Sequence, residues 1–453
     1  MLIYLQKQSI YEERITMKKN FQRFMMLALL VLASIVLFSC AKDTAPAATT
    51  PAPAATPAAA VAPAPAPAPA PAPVQKYQDG IYFAMDEAFG SSGWKEAVTV
   101  TVLGGKIVSA DWNGVNIKGG VDKKTYDKAG KYNMVAFGKA QAEWYQQAEK
   151  AEAYLLSTQD PSKITYKNAE GNTDDIAGVS VHVSAFFKLA AKALAAGPVG
   201  RGPYADGAYF AIDADFPASG WKEYVSLTVL NGRIAAVNWS GVNKTGDEKK
   251  AYDKAGKYNM VAYGKAQAEW YQQAEKAEAY LVAKQDAKAL TYKDAEGRTD
   301  DIAGVSIHVS QMFDLASKAL AAGPVSMGKY ADGGYYASEE AFSTSGWKGF
   351  VSLLVANGNI VSVNWSGVNA AGDDKKVFDM AGKYNMVAYG KAIDEWYVQA
   401  GRVEQHLVKV QDAKKITLKD ESGHTDDISG ATITINDFVA LVVKALAAGA
   451  KKY

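Results

Sequence analysis

Apolar and polar residues alternate along Val98, Val100, Val102, again along Val225, Leu227, Val229, and a third time along Val351, Leu353, Val355. A period of two reads as a strand with one face buried. Each run ends in Gly104-Gly105, Asn231-Gly232 or Asn357-Gly358. These dipeptides tolerate positive φ at both positions and predict a two-residue hairpin turn. The return strand is expected to carry Val108, Ala110 and Trp112 on one face, with Ala235, Val237, Trp239 and Val361, Val363, Trp365 as counterparts. A short aromatic strand precedes each hairpin, at Ile81-Tyr82-Phe83, Tyr209-Phe210 and Tyr335-Tyr336. Each is opened by an Asp-Gly pair: Asp79-Gly80, Asp206-Gly207 and Asp332-Gly333.

Beyond the hairpin the period changes. Ala-Gly-Lys-Tyr-Asn-Met stands unchanged at 129–134, 255–260 and 381–386 and leads toward Glu143-Trp144-Tyr145 and its counterparts. Met134, Phe137, Trp144, Ala148 and Leu155 fall on one helical stripe, which predicts one long helix. A strand-like piece follows at Ile164-Thr165-Tyr166, Leu290-Thr291-Tyr292 and Ile416-Thr417-Leu418. The last helix is expected to begin at Ser184, Ser310 or Asn436, residue types that cap helices well. In the third copy Phe438, Leu441, Val442, Ala445 and Leu446 form its apolar face. Ala-Ala-Gly closes all three helices, with Gly197, Gly323 and Gly449 suited to the position after the last turn.

The pattern is a three-fold repeat. Ser180 and Ser306, then Ser306 and Thr432, lie 126 positions apart. The expected fold class is α+β: three tandem small domains, each an antiparallel sheet with a hairpin covered by two helices. Their expected bounds are 76–199, 203–325 and 329–453. A chain of 453 residues is too long for one core, so several domains agree with its length. The apolar content of 49% is that of ordinary globular protein. A formal charge of +1 gives no electrostatic reason to expect nucleic-acid binding. One cysteine excludes intrachain disulfides and cysteine metal clusters, and four histidines are too scattered for a metal site.

That one cysteine has a telling place. Met17-Lys18-Lys19 and Arg23 form a basic start, and Phe24 to Phe38 form an apolar stretch that is short for a membrane span. It ends in Leu37-Phe38-Ser39-Cys40, which resembles a bacterial lipobox. The resemblance implies residues 1–40 as a signal with its start at Met17, cleavage before Cys40, and a lipid on Cys40. Residues 41–75 are an Ala/Pro-rich linker. Proline donates no backbone hydrogen bond and holds its neighbours extended, so this stretch is expected to act as a stalk. The expected location is the bacterial cell envelope, lipid-anchored and outside the cytoplasm, on the periplasmic or surface side.

The chemistry-bearing stretch precedes the last helix. In the third repeat it reads Asp426-Asp427-Ile428-Ser429-Gly430-Ala431-Thr432-Ile433-Thr434. Residues 174–180 and 300–306 are close variants ending in Ser180 and Ser306. Gly430 allows a tight turn, Ala431 keeps the surroundings small, and Thr432 offers a hydroxyl. Donors at a helix start favour a phosphate oxygen. No His/Asp pair at useful spacing accompanies the hydroxyl, so it reads as a group acceptor rather than a hydrolase nucleophile.

This stretch resembles the signature of the FMN-binding domain family. That family includes the C subunit of sodium-translocating NADH:quinone oxidoreductase, the G subunit of Rnf complexes and flavinylated bacterial lipoproteins. The resemblance implies FMN joined through a phosphoester to Thr432 by a flavin transferase, with Asp426, Ser429, Gly430 and Ala431 as the recognition sequence and Thr434 beside it. It further implies an electron carrier with a redox partner of its own, rather than a catalyst with its own substrate. Repeats one and two depart from the pattern, with Ala177 and Ala303 for the serine and Val179 and Val305 for the alanine. They keep hydroxyls at Ser180 and Ser306, and carry His182 and His308 where Thr434 stands. The Glu-Thr-Pro-Gly stretch usual in the family is absent. Two other readings compete: a non-redox surface lipoprotein that keeps the fold as a binding or antigenic module, and a small-molecule pocket lined by Trp112, Tyr132 and their repeats.

Overall fold

The computed structural model describes residues 76–450. The signal, Cys40 and the linker lie outside the described residues. The first repeat runs β1 (Gly80–Met85), β2 (Trp94–Leu103), β3 (Lys106–Asn116), α1 (Lys123–Lys128), α2 (Met134–Gly138), α3 (Trp144–Thr158) and α4 (Ser184–Ala196). The second runs β4 (Gly207–Ile212), β5 (Trp221–Leu230), β6 (Arg233–Asn243), α5 (Lys249–Lys254), α6 (Met260–Gly264), α7 (Trp270–Lys284) and α8 (Ser310–Ala322). The third runs β7 (Gly333–Ser338), β8 (Trp347–Ala356), β9 (Asn359–Asn369), α9 (Lys375–Met380), α10 (Met386–Gly390), α11 (Trp396–Val410) and α12 (Asn436–Ala448). Each repeat is a three-stranded antiparallel meander with helices on one face, so the molecule is α+β.

Local chemistry sets the hairpins. Gly104-Gly105, Asn231-Gly232 and Asn357-Gly358 all adopt positive φ, as a two-residue turn of this kind requires. The Asp of each opening pair caps that turn: Asp79, Asp206 and Asp332 accept the N–H of Gly105, Gly232 and Gly358. The aromatic of the first strand is buried and donates its hydroxyl to a carbonyl four residues back, as Tyr209 does to Ala205 at 2.7 Å. In the first repeat Val98, Val100, Trp112, Trp144, Ala148, Leu155 and Phe186 meet in one core. Trp112 stacks on Phe186, so this indole belongs to the core and walls no pocket.

Four expectations need correction. The long helix is two. Asn133 and Lys139 both take left-handed backbone, and Glu143 caps α3 instead of lying within it. The Glu143 carboxylate also accepts the N–H of Met134 at 2.7 Å, so one side chain starts both helices. Phe137 consequently leaves the core stripe and is 83% exposed. The piece at 164–166 joins no sheet: Thr165 donates its N–H to Asp175 and its carbonyl accepts from Thr173. The last helices are capped at Val183, Val309 and Ile435, and Ser184, Ser310 and Asn436 are their first helical residues. Finally, a bulge at Thr101/Val102 shifts the register, so Ile107 faces the core and Val108 turns away from it.

The outer strand of each sheet has no strand beside it, and side chains take that place. Gln159 accepts the N–H of Ile107 at 2.7 Å and donates to its carbonyl at 2.9 Å. Glu152 accepts the N–H of Trp112 and pairs with half-buried Lys124. Gln285 and Gln411, with Glu278 and Glu404, repeat the device. An edge covered this way offers no template for a foreign strand.

The repeats also pack on one another. The sheet face of repeat one that points away from its helices (Phe83, Met85, Ala97, Val115) meets the hairpin end of repeat two at Leu230, Ala235 and Ala236. Repeat two offers Phe210, Ile212, Tyr224 and Val242 to Leu354, Ala356 and Val361 of repeat three in the same way.

Candidate functional site

The hydroxyl-bearing turn lies between α11 and α12, and in the earlier repeats between α3 and α4 and between α7 and α8. Ile428, Ala431, Ile433 and Ile435 are buried in the third core, which pins the turn and leaves the alternate residues outside. Thr432 and Thr434 are therefore exposed, as are Ser180, Ser306, His182 and His308. Gly430 takes φ +75, and a Cβ there would meet the Arg402 guanidinium at 2.7 Å.

A glutamine from the long helix holds each hydroxyl. Gln399 Oε1 accepts the Thr432 N–H at 2.7 Å and its hydroxyl at 3.1 Å. Gln147 does the same for Ser180, and Gln273 for Ser306. Each glutamine is fully buried and is itself fixed by donating to a backbone carbonyl just before its helix, that of Asp394 in the case of Gln399. A cation stands next to it: Arg402 donates to the Gly430 carbonyl at 2.6 Å, where Lys150 and Lys276 reach Gly178 and Gly304. An amide oxygen is a poor base, so the turn positions its hydroxyl without activating it.

The other predicted residues divide. Gly430, Ala431 and Thr432 come together at the clamp. Asp426 turns to Lys419 at 2.9 Å in an exposed ion pair, and Ser429 lies on the surface. The helix start is less open than its sequence implied. Ile435 gives its N–H to the Gly423 carbonyl, and the Thr432 N–H is spent on Gln399.

A cleft of about 770 Å³ opens beside the turn of repeat two. Trp221, Tyr258 and Trp270 wall it, and Ser306, His308 and Arg298 line it. In its wall the Lys249 ammonium lies 4.0 Å from the Trp270 ring centre and 5.6 Å from that of Tyr258. Glu223 pairs with this ammonium at 2.7 Å and also accepts the indole N–H of Trp239. Repeat one repeats the cluster with Lys123, Trp94, Tyr132, Trp144 and Glu96.

Repeat three keeps the aromatics around Lys375 but has Gly349 where Glu96 and Glu223 stand. Burial lowers the Lys375 pKa to about 8, against partial support from Asp379, Glu339 and Asp437. A lysine ringed by aromatics and stripped of its carboxylate is receptive to an anion.

Sequence reasoning missed the glutamine clamp and the caged lysine. The chain does carry a signal for the clamp. Gln147, Gln273 and Gln399 persist while the neighbouring Gln146 and Gln272 become Val398. Among the described residues no group of three or more His, Cys, Asp or Glu is placed to hold a metal, and no helix is long and apolar enough to cross a membrane.

No family model matches the chain, and no curated protein matches it. Two solved structures are similar to part of it. One, a protein from Clostridium thermocellum solved by solution NMR, is 53% identical over 26% of this chain and 91% of its own, with a TM-score of 0.23. The other, a crystal structure of a protein from Clostridium perfringens, is 24% identical over 27% of this chain and 89% of its own, with a TM-score of 0.22.

Proposed function

We propose that the chain is a lipid-anchored flavoprotein of the cell envelope that binds FMN and carries electrons. One observation carries the reading: a clamped, exposed hydroxyl borders a cleft with flat aromatic walls and cationic groups, in the repeat where that hydroxyl is Ser306. Those walls fit a flat ring system, and Arg298 and His308 fit a phosphate. Trp221, Tyr258 and Trp270 would hold the ring system, and the turn would hold the phosphate end. The Ser-Gly-Ala-Thr sequence favours Thr432 as the covalent acceptor, with Ser306 and Ser180 as further sites. Bound FMN supplies the electron transfer, while the protein supplies position and exclusion of water. Since the clamp leaves the hydroxyl unactivated, attachment requires a separate flavin transferase and an FMN donor with a leaving group on its phosphate. The hydroxyl oxygen would bond to phosphorus as the bond to that leaving group breaks, and its proton would pass to a base of the transferase. Cys40 would tether the carrier to the membrane, and a redox partner would meet it there.

Intact-protein mass and visible absorbance of the full chain, co-expressed with an active flavin transferase, test the reading. The expected result is a yellow protein carrying FMN through a phosphoester, with one adduct lost in Thr432→Ala. The same adducts on Thr432→Ala would remove that residue as acceptor. A colourless protein without adduct would leave the second reading, a non-redox binding module of the envelope. One feature favours that alternative. Phe137, Tyr263 and Tyr389 occupy the same place in each repeat and are 83%, 84% and 85% exposed.

A further inference from the structure

The repeat junctions run in one direction, and each end of the array keeps the half of a junction that its neighbour would use. At the first end, Leu103 is 66% exposed, whereas its counterparts Leu230 and Ala356 are 7% and 5% exposed against the preceding repeat. Val108 is exposed beside it, where Ala235 and Val361 are buried. At the other end, Phe342 is 51% exposed, and Phe350 is only partly covered where Tyr224 and Ala97 are buried under the next hairpin. Phe350 and Val368 stand where repeat two has Tyr224 and Val242.

Polar contacts mark the same direction. Thr228 donates to the Gly120 carbonyl of the preceding repeat at 2.8 Å, and Ser352 donates to that of Thr245 at 2.6 Å. Lys131 reaches two repeats onward, donating to the carbonyls of Gly328 and Tyr330 at 2.8 and 2.9 Å. Lys257 holds the equivalent place in repeat two, and the same two-repeat step from it leads one place beyond repeat three. Its partner by the same step would be the Tyr77 carbonyl of another chain, since Tyr77 is the counterpart of Tyr330.

We propose that the outer sheet face of repeat three receives the β2–β3 hairpin of a second copy of this chain, in the geometry of the two junctions within the chain. The occupant is identified by continuity: the equivalent faces of repeats one and two each hold a hairpin of this kind in the same polypeptide. The contact is heterologous, with different surfaces on the two partners, so one pairing leaves a free face at each end and copies add in rows. Within the chain the linkers keep successive repeats at high effective concentration. Between chains that help is missing, so the association is concentration-dependent.

Sedimentation velocity of the full chain over a concentration series tests this, with Leu103→Asp and Phe350→Asp as variants and circular dichroism to verify their folding. Wild type is expected to form dimers and longer species as concentration rises. Each variant alone is expected to stay monomeric, having lost one of its two faces. An equal mixture of the two is expected to form dimers and stop there, because each variant retains the face the other lacks. A wild type that stays monomeric throughout overturns the proposal. Variants that associate as wild type does, through the lipid or another surface, overturn it equally.

Discussion

Position 349 separates the third repeat from the other two. Glu96 and Glu223 each neutralise a lysine ringed by aromatics and bind a core indole; Gly349 does neither. Lys375 is left charged in a desolvated place, with its pKa down at about 8 from the ordinary 10.5. The consequence for stability has a definite sign. Below about pH 8 the ammonium is charged in both folded and unfolded chains, and the burial penalty is fully present. Between about 8 and 10.5 the unfolded chain binds more protons, so stability rises with pH through this window. Lys375→Met is expected to flatten that rise, read as the urea midpoint at several pH values against wild type. An unchanged slope would show that other lysines carry it. Neither the pairing nor its loss was legible in the sequence, where Glu96 lies 27 positions from Lys123 and the two read as independent surface charges.

At the scale of elements, the parts that follow from short-range rules were readable and the parts that depend on distant side chains were not. The hairpin turns came directly from residues that tolerate positive φ. The break between α2 and α3 did not, because its cause is a carboxylate nine positions on that reaches back to Met134. The edge strands likewise end at Gln159, Gln285 and Gln411, some fifty positions from the backbone groups they satisfy. Gln285→Asn tests this device in isolation. Asparagine accepts the left-handed backbone at this site (φ +61) but is too short to span to Ile234. The variant is expected to lose about 1–2 kcal/mol of stability. The Ile234 amide is expected to exchange its hydrogen faster, while amides of the central strand β5 slow or hold.

In the whole molecule, the junctions decide which glycines matter. Gly119 and Gly372 occupy equivalent turns after the third strand, both with positive φ. A Cβ on Gly119 would meet the Ser226 carbonyl oxygen of the next repeat at 2.4 Å, whereas one on Gly372 would meet nothing within 4 Å. Alanine at either place pays roughly 1–2 kcal/mol for left-handed backbone. Gly119→Ala is expected to cost about 1–3 kcal/mol more, from the forced separation of two repeats. Denaturant titration of the two variants side by side measures the difference. Equal losses would mean that the first junction contributes nothing to stability.

The sequence by itself determined the three-fold repeat, the α+β class, the hairpins and the hydroxyl-bearing turn before each last helix. All of these follow from periodicity and from backbone preferences that act over a few residues. Only the tertiary structure decided what surrounds Ser180, Ser306 and Thr432. The glutamine that fixes each hydroxyl comes from 33 positions away, and the aromatic cleft is assembled from stretches of its repeat as far apart as Asp213 and Gln311. The unequal ends of the array are also a tertiary fact. The three repeats present equivalent outer sheet faces that differ in detail, with Ser338 where Met85 and Ile212 stand, and their burial depends on whether another repeat follows in space.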